Sequence, residues 1–182
     1  VPALYQTLQM REPKMVAGRD TAALARLHAL WLLSGMNKLD DQSLTSALSD
    51  PIPGIRQHAL RISEQRLNNS TQIRDAVLAM PEGETDPRVL MQLAFSLGEI
   101  AINSNEELKQ QVAQSLATIA KIGAEDRWLR MAVLSSSIAI APQELSILSS
   151  DSDFGKSSEQ RVWMHDLAMI IGSRARSDEI QS

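Results

Sequence analysis

The chain has 182 residues, 43% of them apolar but only 3% aromatic, with a formal net charge of −4 and no cysteine. An acidic balance without a basic run argues against a sequence-independent grip on nucleic acid, which needs clustered Lys and Arg to neutralise phosphates. The absence of Cys excludes disulfides, thiolate zinc sites, Cys nucleophiles and C-x-x-C-H haem attachment within the chain. The longest apolar runs, such as Ala29 to Leu33, fall far short of the roughly 20 residues that span a bilayer, so no direct membrane insertion is expected. The chain starts at Val1 with neither a charged n-region nor an h-region, which reads as a segment of a longer protein. The eight Gly and seven Pro cluster between apolar stretches, favouring helices joined by short connectors.

In chain order, the first apolar helical stretch carries Arg26-Leu27-His28-Ala29-Leu30. The motif returns 30 residues later as Arg56-Gln57-His58-Ala59-Leu60, identical at four of five positions. A weaker copy is Met91-Gln92-Leu93-Ala94-Phe95. Aligning on the alanine gives Ala29, Ala59, Ala94, Ala132 and Ala168, at spacings of 30, 35, 38 and 36, which suits two helices and two turns per repeat. Leu90, Leu93, Ala94, Leu97 and Ala101 follow the i, i+3, i+4, i+7 pattern, and Met91, Phe95 and Ile102 add a second apolar face. A helix apolar on two sides is covered on two sides, as stacked repeats do.

More plainly amphipathic helices lie between. Over 105–122 the stripe is Leu108, Val112, Leu116 and Ile119; Ser104 and Glu107 fit a capping box, and Gly123 suits the residue past the end. Asp86-Pro87 reads as N-cap followed by N1, Asp50-Pro51-Ile52-Pro53 repeats the idea with an insertion, and Asp126 opens the fourth unit. The breaks at 80–85 and 151–158 are loops.

These features predict an all-α chain, more than half helical: a right-handed α–α superhelix of HEAT/armadillo-like solenoid type with about five helix pairs. The repeats fall at about 2–34, 41–67, 70–102, 105–140 and 142–174, forming one repeat domain over 1–174 with a polar tail over 175–182.

An Asp at the turn followed by Arg and Ala at the start of the second helix, here Asp50…Arg56…Ala59, is the HEAT pattern. Together with Arg26 to Trp31, Asp86-Pro87-Arg88-Val89…Gln92 to Glu99, and Asp126-Arg127-Trp128-Leu129-Arg130…Ala132 to Ser136, it resembles the HEAT region of the large membrane-bound dehydrogenase, or haem-binding, proteins of planctomycete-type bacteria. The resemblance covers roughly residues 1 to 150. It implies a parent in which this region lies between a sugar-dehydrogenase-like propeller and a C-terminal cytochrome c domain, with export to the periplasm and an electron-transfer setting. The family's catalytic and haem-ligating residues belong to those other domains, so none is carried over, and no cofactor is expected here.

The chemical constellations are poor. His28 and His58 share a repeat position but no third ligand recurs in register, since His165 falls out of phase; they read as packing histidines rather than a metal pair. Asp40-Asp41 and Glu106-Glu107 diverge on a helix and make no general acid/base pair; Asp41 reads as a cap. Ser135-Ser136-Ser137 has no adjacent base, and Gly98 and Gly172 are lone glycines, not a phosphate loop. Trp31, Trp128 and Trp163 are expected in the core.

The function expected is therefore a non-catalytic scaffold contacting neighbouring domains of the parent chain or another protein. The alternatives are a domain contributing to a shared oxidoreductase site and a nucleic-acid-binding HEAT protein; a stripe of Arg26, Arg56, Arg61 and Arg130 would favour the latter, but Glu64 and Glu99 interrupt it. The resemblance implies that the second helix of each pair lines the concave side. Counting from the repeat alanine, +2 gives Trp31, Arg61, Ser96, Leu134 and Ile170, and +5 gives Ser34, Glu64, Glu99, Ser137 and Ser173. From these rows Trp31, Arg61, Glu64, Ser96 and Glu99 are the candidate interaction surface.

Overall fold

The structure, a computed structural model, describes residues 1–102 and 104–174; the tail expected over 175–182 lies outside the described residues. Among the described residues helices account for 73%, in ten α-helices and two short 3₁₀ turns, and none is long and apolar enough to cross a membrane. The chain divides into two compact units, Val1–Val77 and Leu78–Ser182.

The first unit holds α1 (Pro2–Leu8), α2 (Thr21–Gly35), α3 (Asp41–Leu48), α4 (Pro53–Ser63), a 3₁₀ turn at Glu64–Arg66 and most of α5 (Thr71–Ala79). Between α1 and α2 runs a two-residue antiparallel ladder, β1 (Met15–Val16) on β2 (Arg19–Asp20). Its turn, Ala17-Gly18, has φ of 50° and 74°, the two successive left-handed residues that a tight hairpin turn demands. The α1 helix packs on α2, and α4 packs on both α2 and α3. Asp20 caps α2 by accepting from the Ala22 and Ala23 amides. Asp40, not Asp41, caps α3, accepting from the Ser43 amide at 2.7 Å. Asp41 is instead turned to Arg66 (2.8 Å) and to the Ser70 hydroxyl (2.5 Å).

Beneath these helices lies a buried ion cluster. Arg26 occupies a core position of α2, in register with Ala22, Ala29, Leu30 and Leu33, and is 2% exposed. Its guanidinium donates to both oxygens of Asp50, at 3.2 Å each, and to the Met10 carbonyl at 2.6 Å. Asp50 also accepts from Arg11 at 2.5 Å and from the Ile52 amide at 2.9 Å. The carboxylate expected merely to open α4 is thus the counter-ion of α2, and Ile52 occupies the cap position.

The second unit begins within α5 and continues through a 3₁₀ turn at Met80–Glu82 to α6 (Pro87–Ile102), α7 (Glu106–Ile122), α8 (Arg127–Ser136), α9 (Ala141–Ser150) and α10 (Ser158–Arg174). The α6 helix packs on α7 and α8, α7 on α9, α9 on α10, and α10 on α8. Within this unit α6, α8 and α10 therefore form one layer and α7 and α9 another. Asp86 accepts from the Arg88 amide at 3.0 Å, and the Arg88 guanidinium beside it holds its carboxyl down at about 2. Asp126 caps α8 through the Trp128 and Leu129 amides.

At α7 the expected capping box is replaced by Asn105, which accepts from the Leu108 amide at 2.9 Å; Ser104 instead donates back to the Ile100 carbonyl. Gly123 ends α7 at φ −105°, not in the left-handed region. Glycine is needed there for space: a Cβ would lie 2.1 Å from Leu129 Cδ2. Gly98 serves a similar purpose, since a Cβ there would meet Ser136 Cβ at 2.8 Å and its Cα at 3.1 Å. Two small residues thus let α6 and α8 cross closely.

Ala29, Ala59, Ala94 and Ala132 are all buried, at 3% exposure or less. Ala168 is exposed; the inward stripe of α10 is Trp163, Leu167 and Ile171, one residue out of the expected register. Trp163 is fully buried and donates its indole N–H to the Ala124 carbonyl at 3.1 Å. Trp31 and Trp128, in contrast, are 41% and 64% exposed, so core burial fails for two of the three.

Candidate interaction surface

In the first unit Trp31 lies on the outer side of α2 and donates its indole N–H to His58 Nδ1 at 3.3 Å, the rings meeting edge to face at 5.9 Å. His58 is a packing histidine, as expected, while His28 is exposed. Arg61 is exposed at the end of α4, and Glu64 is half-buried at the head of the 3₁₀ turn.

In the second unit Glu99 is exposed on α6, but Ser96 is fully buried and so cannot belong to a docking surface. Ser137, from the +5 row, is buried as well. The reason is the width of burial. The α6 helix is covered on one side by α7 and on another by α8, so only a narrow stripe near Phe95, Glu99 and Ile102 reaches solvent. Residues three apart, neighbours on an isolated helix, fall on opposite sides of that boundary.

On α6, α8 and α10 the second unit exposes large apolar side chains. Phe95 and Ile102 of α6 are 44% and 61% exposed, and Trp128 and Met131 of α8 are 64% and 50%. Ile138, just past α8, and Val162 and Met169 of α10 complete the set. The three-residue spacing of Trp128 and Met131 places these two α8 residues on one helical face. The outward residues of the other layer are mostly of a different kind: Glu106, Glu107, Gln111, Gln114 and Lys121 on α7, with Ile122 its one large exposed apolar residue, and Ser146, Ser149 and Ser150 on α9. A groove of about 460 Å³ lies between α6 and α8, walled by Phe95, Ile102 and Ile138 and floored by Gly98 and Ser136, with Glu99 and Arg174 at its rim. The close crossing at Gly98 forms its bottom.

Two other features test for chemistry. In the first unit a cleft of about 660 Å³ opens over Tyr5, Arg11, Arg26, Asp40 and Asp50. Its deepest charges, Arg26 and Asp50, are already saturated by each other and by backbone groups, which makes the pair a structural tie. In the second unit Glu144 is wholly buried, and that burial pushes its carboxyl up to about 8. It meets Ser137 Oγ at 2.5 Å, while its other oxygen has no partner. It lines neither the cleft of about 660 Å³ nor the groove of about 460 Å³. Ser137 also donates to the Val133 carbonyl, and the Ser135 and Ser136 hydroxyls both donate to the Ala132 carbonyl; the serine run is helical back-bonding. Among the described residues no three His, Cys, Asp or Glu converge as a metal site would require. Comparison with protein families, curated proteins and solved structures finds no match.

Proposed function

We propose that the chain is a non-catalytic helical-repeat docking module, its pairs being HEAT-type repeats of a right-handed α–α superhelix, and that it binds polypeptide through the outward faces of α6, α8 and α10. The observation that supports this reading is that, within the second unit, the large exposed apolar side chains gather on those helices and just past α8, while the outward residues of the opposite layer are Glu, Gln, Lys and Ser apart from Ile122 at the end of α7. Scattered exposed apolar residues mean little, but a contiguous set marks a contact surface. The setting we propose is the one implied by the resemblance: an exported, multidomain dehydrogenase or haem protein whose chemistry resides in other domains. The partner is then one of those domains or a separate protein.

A photo-cross-linking amino acid tests the reading in the protein as expressed in its host. Placed at Phe95 or Trp128 it should attach to polypeptide; placed at Gln114 on α7 it should not. Equal labelling from both faces, or none from Phe95 and Trp128, removes the docking role. For the setting, the coding sequence flanking this segment should encode a propeller upstream and a C-x-x-C-H motif downstream.

A further inference from the structure

We infer that the occupant of the α6/α8/α10 face is a second copy of this chain, in an isologous dimer; this rests on the docking role proposed above. The first support is area. Side chains exposed by 39–64%, on residues such as Trp and Phe that carry about 150–250 Å² each, leave on the order of 700 Å² of apolar surface. That is above the ~300–600 Å² typical of a monomer's largest patch. It is close to the ~800 Å² per partner of a standard stable interface.

Self-complementarity is the second support. A two-fold contact needs projection and recess on the same surface. Trp128, in the first turn of α8, is the most exposed large apolar side chain of this face, and the groove of about 460 Å³ with apolar walls lies on the same face at the other end of α8, at Ser135 and Ser136. The charges match this exchange. Arg127 lies over its neighbour Trp128, 5.8 Å from the ring centroid, and Glu99 stands at the rim of the groove. A Trp128 seated in the groove of the other copy carries its Arg127 toward that copy's Glu99, and the two-fold axis makes the contact twice. Arg174, at the same rim, donates to the Ile138 carbonyl.

Sedimentation equilibrium of the whole chain, up to roughly 100 µM, tests the inference. The wild type should reach dimer mass. Trp128→Glu should keep its helical dichroism and weaken association about 30-fold or more, the size of an interfacial hot spot. Glu99→Arg should also weaken the dimer, and Glu99→Arg combined with Arg127→Glu should restore it. Gln114→Glu, on the polar layer, should leave the mass unchanged. A wild type that stays monomeric, or a dimer indifferent to Trp128→Glu, overturns the inference. If the chain is monomeric but a photo-cross-linker at Trp128 still captures a different polypeptide, the self-association fails and the docking role stands. If it captures nothing, both fall.

Discussion

The two units each bury an acidic side chain in a helical core, and they do so by opposite means. In the first, Asp50 meets two guanidiniums and a backbone amide. In the second, Glu144 has a single hydroxyl partner and no cation beside it, and its carboxyl is held in the neutral form up to about pH 8. Burial is equally complete in both, at 2% and 0% exposure. What differs is the number and charge of the partners. A buried carboxylate either gathers enough donors to be tolerated as an ion or keeps its proton.

The largest effect should come from breaking the first arrangement. Asp50→Ala leaves Arg26 buried without its counter-ion and should cost about 3–5 kcal/mol, read as a lower urea midpoint. A loss below about 1 kcal/mol would mean that water replaces the carboxylate and that the two units differ less than the contacts suggest. Glu144 should respond in the opposite direction. Its folded value of about 8 lies above the ordinary 4.5, so the native state holds one more proton than the unfolded chain between those limits. Its contribution is present below pH 4.5 and is lost as pH rises through 8. Glu144→Gln should therefore stabilise the chain by about 2–4 kcal/mol at pH 9 and have little effect near pH 4. Parallel stability–pH curves for variant and wild type would remove the neutral carboxyl from the comparison.

Smaller effects concern the close crossing that sets the second unit apart. Gly98→Ala gains up to about 1 kcal/mol of helix propensity, but its methyl meets the Ser136 Cβ and backbone, for which overpacking costs about 1–3 kcal/mol. The net should be a loss of roughly 1 kcal/mol, reversed in part by Ser136→Gly. Asp86→Ala should cost about 1 kcal/mol through the lost cap. Because Arg88 holds the Asp86 carboxyl at about 2, that contribution is present above the ordinary carboxylate range and is lost as pH falls through 2. A melting temperature equal to wild type at neutral pH would show that the α6 amides find other acceptors.

Much of the helical pattern was legible in the sequence. The Ala29, Ala59, Ala94 and Ala132 register marks the tightest packing positions, and Asp86 and Asp126 announce the starts of α6 and α8. The buried ions were legible in principle and were missed. Arg26 stands in the stripe of Ala22, Ala29, Leu30 and Leu33, and Glu144 in that of Ala141 and Leu148; a charge in apolar phase is the signal. The α10 register failed because Trp163, the largest side chain in the core, sets the inward phase of that helix. Ser96 was assigned to the surface because helical phase alone does not tell how many neighbours cover a helix. The apolar outer face was hidden for the same reason: in sequence, Phe95, Ile102 and Met131 look like core.

The distribution of the three tryptophans also makes the molecule its own optical reporter. Trp163, sealed and hydrogen-bonded to Ala124, should emit at short wavelength and resist acrylamide. Trp31 and Trp128 should emit further to the red and be quenched readily. A Trp31→Phe variant then carries one shielded and one accessible emitter, both in the second unit. In it, the quenchable fraction measures how much of the outer face is free, while the shielded fraction follows the integrity of that unit's core.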